Sequence, residues 1–129
     1  MARVPIVRVE DVLIATVLDD LNDRDALQLQ TDLAERLERQ DTRGVLLDLS
    51  VVETVDSFLG RLLNDIALGS RLLGAQTVVV GIQPAVAITL VELGLELKGI
   101  HTALNSRKGL ELLERLLAGG GRDGRNRAR

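Results

Sequence analysis

The chain has 129 residues and contains no cysteine, tryptophan or tyrosine, and only one histidine and one phenylalanine. Because cysteine is absent, disulfide bonds and thiolate chemistry are excluded. A zinc site or a Ser–His–Asp catalytic triad would have to be built around His101 alone, which disfavours both. Phe58 is the single aromatic residue, so the bases of a single-stranded nucleic acid have no aromatic platform on which to stack.

Long apolar runs are missing as well. No stretch reaches the roughly 18 uninterrupted apolar residues that a membrane span needs, and Glu10 and Asp11 interrupt the N-terminal apolar run that a signal peptide would continue. We also find no phosphate-binding glycine loop, no dinucleotide-binding glycine motif and no paired histidines. We therefore expect a cytoplasmic, non-enzymatic protein without a metal ion, a cofactor or a membrane partner.

Charge is unevenly distributed along the chain. Residues 119–129 contain four Arg and one Asp, a net charge of +3, whereas the whole chain carries −3, which leaves −6 on residues 1–118. An acidic body does not suit a nucleic-acid partner. We expect one domain over residues 1–118 and a disordered Gly/Arg-rich tail over residues 119–129, which is either a solvated terminus or an electrostatic arm.

Short apolar segments alternate with helical patterns along the domain. The predicted strands cover residues 4–9, 12–17, 45–49, 77–80 and 99–103. The predicted helices cover residues 23 to about 40, 57–73, 84–94 and 106 to about 118. The order ββαβαβαβα, with buried apolar strands between helices, predicts an α/β fold with a mixed, mostly parallel sheet flanked by helices.

The junction between the third strand and the second helix is the most informative part of the sequence. The turn ends at Asp56, Ser57 and Phe58, which places a hydroxyl at a helix N-terminus, where backbone N–H groups and the helix dipole favour added negative charge. This placement suits a phosphorylation site. It also suits a simple N-cap made by Asp56 or Ser57, which is the commoner use of such a residue, and the spacing alone leaves both interpretations open.

A helical wheel on residues 57–73 separates two faces. Leu59, Leu62, Leu63, Ile66, Ser70 and Leu73 lie on the predicted sheet-facing side. Ser57, Arg61, Asn64 and Leu68 lie on the outer side, with Leu72 near its edge. Leucines on an outer face suggest a surface for a partner, unless the last helix of the domain covers them.

The helix that begins at Pro84 is apolar on two opposite sides. Val86, Leu90 and Leu93 form one side, and Ile88, Val91 and Leu95 form the other. Because a surface helix normally has a polar outer face, we expect another helix or another subunit to cover the second side. Thr89 is a possible phosphorylation site, or its hydroxyl bonds a backbone carbonyl within the helix.

Several carboxylates have a simpler interpretation than chemistry. The pairs Asp19–Asp20 and Asp23–Asp25 precede the first helix, where they could recruit a divalent cation but are explained more simply by helix capping and dipole complementarity. Asp48 ends the third strand and has no base, nucleophile or cofactor motif near it in the sequence. We interpret Asp48 as structural.

Three parts of the sequence together resemble the STAS domain family, the sulfate-transporter and anti-sigma-factor-antagonist module. They are the strand at 45–49, the turn at 56–58 and the segment GIQPAVAITLVELG at 81–94, and the resemblance covers about residues 4–118. Within this family the sequence is similar to the single-domain scaffold subunits of the bacterial stressosome.

The resemblance implies co-assembly with RsbR-type STAS sensor paralogues into a large particle that sequesters an RsbT-type serine/threonine kinase. It also implies that this kinase phosphorylates Ser57 under stress and is then released, and Thr89 falls where the sensor paralogues have a second phosphorylatable threonine. The predicted partner-binding residues are Asp56, Phe58, Arg61, Asn64, Leu68, Ile88 and Val91. Two alternatives are a small anti-anti-sigma factor that binds an anti-sigma kinase, and a nucleotide- or small-molecule-binding domain.

Overall fold

The computed structural model describes residues 4–19, 21–97 and 99–127, without the side chains of residues 119–127. Its strands are β1 (Ile6–Val9), β2 (Val12–Thr16), β3 (Gly44–Asp48), β4 (Gln76–Val80) and β5 (Ile100–Ala103). Its helices are α1 (Asp23–Arg39), α2 (Ser57–Leu72), α3 (Pro84–Glu92) and α4 (Ser106–Arg127). The order ββαβαβαβα matches the order predicted from the sequence.

The five strands form one sheet in the order β1-β2-β3-β4-β5. β1 and β2 are an antiparallel hairpin whose turn contains Glu10 at a φ of 54°, and the other neighbouring strands are parallel. Parallel strands in this arrangement are covered on both faces, which is why β3 reads as an almost continuous apolar run. Val45, Leu46 and Leu47 are indeed fully buried. The prediction of a mixed, mostly parallel sheet is confirmed.

Three helices pack on one face of the sheet. Leu33 of α1, Leu63 of α2 and Val86 of α3 share a core with Val45 and Leu47, which point to this face of β3. Alternation along the strand sends Leu46 to the opposite face. The first face therefore holds the larger part of the core, and it positions α2 between the sheet and solvent.

Among the helices that the structure describes, α4 is the one that packs on the opposite face of the sheet. Leu113 of α4 is fully buried against Leu46 of β3 and Val78 of β4, and α4 contacts β3, β4 and β5. Leu68 and Leu72 of α2 lie on the other side of the sheet and are 50% and 79% exposed. Coverage of these two leucines by the last helix, one of the alternatives from the sequence, is therefore wrong.

The C-terminal helix is longer than predicted. The sequence places its end near residue 118, whereas α4 continues to Arg127. The prediction of a disordered tail over residues 119–129 stays a prediction, because residues 128 and 129 and the side chains of residues 119–127 lie outside the described part of the chain.

Candidate functional site

Ser57 is the first residue of α2, and Asp56 is the N-cap of that helix. The Asp56 side chain accepts a hydrogen bond from the backbone N–H of Leu59 at 2.9 Å, which satisfies one of the free donors at the helix start. The Ser57 side chain is half-buried and forms no hydrogen bond within the described residues. The capping role thus belongs to Asp56, and the Ser57 hydroxyl is left uncommitted at the positive end of the helix dipole.

Hydrogen bonds of Asp48, the last residue of β3, stabilise the start of the loop that leads from β3 to Ser57. The Asp48 carboxylate accepts from the backbone N–H of Ser50 at 2.9 Å and from the Ser106 hydroxyl at 3.4 Å. The first bond closes a turn within the loop, and the second ties the end of β3 to the first residue of α4. They agree with the structural interpretation of Asp48 and help to fix the path of the chain towards α2.

The same loop is also held by the segment that precedes α3. The Gln83 amide donates to the Ser50 carbonyl at 2.8 Å. Gly81 has a φ of +74°, and a Cβ added there would lie 2.9 Å from the Ser50 Cβ. Only glycine adopts this conformation without strain and permits so close an approach. The loops after β3 and β4 therefore form one fixed surface at the carboxyl ends of the parallel strands.

The carboxylates before α1 act mainly as hydrogen-bond acceptors and dipole partners. Asp19 accepts from the backbone N–H groups of Glu53 and Thr54 at 2.8 and 3.3 Å, which joins this loop to the β3–α2 loop. Asp23 and Asp25 lie in the first turn of α1, where negative charge is favourable. Asp20 lies outside the described residues, and no group of three or more potential metal ligands occurs among those described.

The outer face of α2 agrees with the predicted wheel over most of its length. Arg61 and Leu68 are exposed and Asn64 is half-buried. Leu73, predicted to face the sheet, is instead 45% exposed. It is the C-cap residue, so the helical geometry on which the wheel depends has ended there.

A groove of about 210 Å³ separates α1 from α2 beside the predicted site. Leu27, Phe58, Arg61, Leu62, Asn64 and Asp65 line it. The groove brings together three predicted partner-binding residues: Phe58, which directly follows Ser57, and Arg61 and Asn64, which lie about one and two turns further along α2. Leu27 was missed by sequence reasoning. The sequence does contain an indication of its role, because Leu27 is a leucine that lies outside the buried stripe of α1, and it is 50% exposed.

The outer side of α3 is uncovered. Ile88 is 59% exposed and Val91 is 78% exposed, so no other helix of the described chain covers the second apolar side. Thr89 is half-buried, and its hydroxyl donates to the Ala85 carbonyl at 3.0 Å. This bond is the helix-internal alternative that the sequence offered for Thr89.

The two sides of α3 differ from the prediction near its end. Leu93 was expected to be buried but is 43% exposed. Leu95 was expected on the outer side, yet it packs against the core, and a Cβ on Gly60 of α2 would collide with its side chain. Both errors have one cause, since α3 ends at Glu92 and the chain then turns back over α2.

No helix in the part of the chain that the structure describes is long and apolar enough to cross a lipid bilayer. The STAS domain family model matches residues 3–108. The chain therefore belongs to the STAS domain family, which confirms the resemblance that residues 45–49, 56–58 and 81–94 carried.

The chain is similar to two solved structures over most of its length. One is a serine-to-glutamate variant of RsbS from Moorella thermoacetica, with 39% identity and a TM-score of 0.80 over 91% of this chain and 99% of that chain. The other is described as the molecular architecture of the stressosome, a signal integration and transduction hub. It has 41% identity and a TM-score of 0.77 over 88% of this chain and 98% of that chain.

A longer relative is known from Bacillus subtilis (strain 168). The RsbT co-antagonist protein RsbRA is 25% identical over 102 residues, which are 79% of this chain. The chain spans 37% of the length of RsbRA. The likeness to RsbRA is therefore a likeness of one part of that protein.

Proposed function

We propose that this chain is a non-catalytic, cytoplasmic scaffold of a stressosome-type assembly, which holds a serine/threonine kinase and releases it when Ser57 is phosphorylated. The observation that carries this proposal is the uncommitted Ser57 hydroxyl at the start of α2. Asp56 already caps the helix, so the Ser57 hydroxyl is not needed as a cap. The similarity to RsbS and to the stressosome structure supports the scaffold role.

The proposed partners follow from the same similarities. RsbRA is described as a co-antagonist of RsbT, which supports an RsbT-type kinase and RsbR-type STAS paralogues as partners of this chain. The kinase would contact the first turns of α2, through Asp56, Phe58, Arg61 and Asn64. Leu68, Ile88 and Val91 are the apolar residues proposed to contact other STAS domains.

Phosphorylation would change the charge of the α2 surface. A phosphoserine carries about −1.5 to −2 charges at neutral pH, and the helix dipole stabilises such a group by roughly 0.3–1 kcal/mol when it is exposed. The modified chain would therefore keep its fold. A kinase docked beside Asp56 would meet two adjacent acidic groups instead of one, and this repulsion favours its release.

The test is phosphate incorporation by a partner kinase, read by mass spectrometry of intact chain and peptides. We expect Ser57→Ala to abolish incorporation, while Ser50→Ala, an exposed serine of the same loop, retains it. Thr89→Ala is also expected to retain incorporation, because the Thr89 hydroxyl is bonded to Ala85. Phosphate on the Ser57→Ala variant at wild-type level would refute the proposal.

A further inference from the structure

The stretch that leads into the Asp56 cap is tied to a second loop. Asp19 lies in the loop between β2 and α1. Its Oδ1 atom accepts hydrogen bonds from the backbone N–H of Glu53 at 2.8 Å and from that of Thr54 at 3.3 Å. The side chains of Glu53 and Thr54 are themselves exposed, so this stretch is held by its backbone. One carboxylate oxygen thus fixes two consecutive residues shortly before Ser57.

The chain that carries Asp19 is anchored two residues before it and two residues after it. Val17 is fully buried, and its backbone N–H donates to the Asp48 carbonyl at 2.9 Å. Leu21 packs against the core on the first face of the sheet. The Asp19 side chain is exposed, so its charge stays in contact with water and avoids the cost of burial. The Asp19 carboxylate is therefore presented to the neighbouring loop from a fixed part of the backbone.

Fixed contacts follow one another from the buried part of the β3–α2 loop to the helix. Val52 is fully buried, the next two residues are bonded to Asp19, and Val55 packs partly against the core. The Asp56 side chain then accepts from the Leu59 N–H at 2.9 Å. A cap bond of this kind needs its side chain at a defined place just before the helix. The Asp19 bonds therefore help to decide where Asp56 lies and where α2 begins.

We propose that Asp19 is a positioning residue for the phosphorylation of Ser57. This inference rests on the proposed function and adds to it a residue outside α2. Phosphoryl transfer depends on the placement of the attacking hydroxyl, and a misplacement of about 1 Å can cost about a hundredfold in rate. Without the Asp19 bonds, the backbone N–H groups of Glu53 and Thr54 turn to water and the stretch before α2 gains freedom. The Ser57 hydroxyl then occupies a wider range of positions.

Two substitutions separate the geometry of Asp19 from its charge. Both loop N–H groups donate to the same oxygen, and an asparagine retains a carbonyl oxygen there. Asp19→Asn therefore keeps the acceptor and loses the negative charge, whereas Asp19→Ala loses both. If the position of the loop is what matters, Asp19→Asn behaves like the wild type. If charge beside Ser57 is what matters, the two variants behave alike.

Asn105→Ala is the matched control. The Asn105 Oδ1 atom accepts from the backbone N–H of Lys108 at 2.9 Å at the start of α4, and α4 packs on the opposite face of the sheet. The substitution therefore frees a backbone N–H in the same way, at a helix start that has no part in the Asp19 bonds. Circular dichroism and the thermal unfolding midpoint verify that all three variants fold.

Steady-state kinetics of phosphate transfer to Ser57 by the partner kinase give the first readout. We expect Asp19→Ala to lower kcat/KM by up to about a hundredfold. The loss is expected mainly in kcat, because Phe58, Arg61 and Asn64 still present the same surface for docking. Asp19→Asn and Asn105→Ala are expected to stay close to the wild-type values of both constants.

Backbone amide exchange, followed by NMR on the chain alone, gives a second readout that needs no kinase. A merely local role of Asp19 would speed exchange at Glu53 and Thr54 and nowhere else. Positioning requires that Asp19→Ala also speeds exchange several-fold at Leu59, whose N–H donates to the Asp56 cap. Asp19→Asn and the control variant are expected to leave the Leu59 amide unchanged.

An unchanged kcat in Asp19→Ala would overturn the proposal, and so would a Leu59 amide that exchanges at the wild-type rate in that variant. A loss of kcat in Asp19→Asn as deep as in Asp19→Ala would overturn it as well, since the Asp19 charge would then be the cause. A wild-type chain that takes no phosphate on Ser57 would contradict only the kinase switch, and the Leu59 amide would still decide whether Asp19 positions the start of α2.

Discussion

Helices α1 and α3 cover the same face of the sheet and differ in what they leave exposed. α1 buries a stripe that includes Leu29, Leu33 and Leu37, and its remaining surface is mostly polar. α3 buries Val86 and Leu90 and exposes Ile88 and Val91. The outer side of α1 is thus typical of a solvent-exposed helix face, whereas the outer side of α3 has the composition of a protein–protein contact.

The buried stripe of α1 and the outer side of α3 are therefore expected to have different roles, the first in stability and the second in association. The buried stripe of α1 contributes to the core that holds the domain together, so changes in it are expected to alter unfolding. The outer residues of α3 touch little within one copy, so changes there are expected to alter association and leave unfolding nearly unchanged.

Truncation of one leucine in α1 is expected to have the largest effect on stability. Leu33 is 1% exposed, and we expect Leu33→Ala to lower the unfolding free energy by about 2–5 kcal/mol, the usual cost of truncating a buried leucine. Ile88→Ala on α3 is the matched change, and an exposed position of this kind costs less than about 0.5 kcal/mol. Urea unfolding of both variants, at concentrations where the chain is monomeric, measures the difference.

Equal losses of unfolding free energy from Leu33→Ala and Ile88→Ala would contradict the different roles of α1 and α3. They would mean that Ile88 is buried within a single copy in solution, and that the outer side of α3 is part of the core. A loss for Ile88→Ala that grows with protein concentration would instead place that side chain in a contact between copies, as mass action requires.

Substitution of the two glycines that flank α3 tests how closely the segment before this helix packs against the loop between β3 and α2. Gly81 and Gly94 both have positive φ values, of 74° and 70°, and an alanine in this conformation costs about 1–2 kcal/mol. A Cβ at Gly94 has no neighbour within 4 Å, whereas one at Gly81 meets Ser50. We expect Gly81→Ala to lower the thermal unfolding midpoint further than Gly94→Ala does. Equal shifts would show that the Ser50 contact relaxes freely.

The helix caps give the smallest of the predicted effects. Asn22 caps α1 and Asp56 caps α2 through side-chain oxygens, whereas α3 begins without a side-chain cap bond. Asn22→Ala and Asp56→Ala are each expected to lower the unfolding free energy by about 1 kcal/mol. Asp56→Asn keeps an acceptor at the same place and should restore most of the loss. Failure of that rescue would mean that the Asp56 charge, and not its cap bond, stabilises α2.

Much of the fold followed from local patterns in the sequence. The element order and the parallel sheet came from apolar strands that alternate with amphipathic helices, and the observed bounds of α1 and α2 lie within about two residues of those predicted, a normal error for helix ends. The outer positions of Arg61 and Leu68 followed from helical periodicity alone. The half-buried, unbonded state of the Ser57 hydroxyl needed coordinates, because a cap at Asp56 or at Ser57 has the same sequence signature.

The remaining features depend on contacts between distant residues, which one sequence does not contain. The placement of α4 on the second face decides the exposure of Leu68 and Leu72. The turn after Glu92 decides that Leu95 returns to the core. The groove between α1 and α2 includes Leu27, which no helical wheel on one helix could relate to Phe58.

Release of the kinase by phosphorylation is tested by comparing the affinity of the partner kinase for the unmodified chain with its affinity for the chain phosphorylated at Ser57. Titration calorimetry with the two forms, each verified by mass spectrometry, gives both dissociation constants. We expect a clearly weaker complex with the phosphorylated chain, and the same circular dichroism spectrum for both forms. Equal affinities, or tighter binding to the phosphorylated chain, would contradict release by phosphorylation.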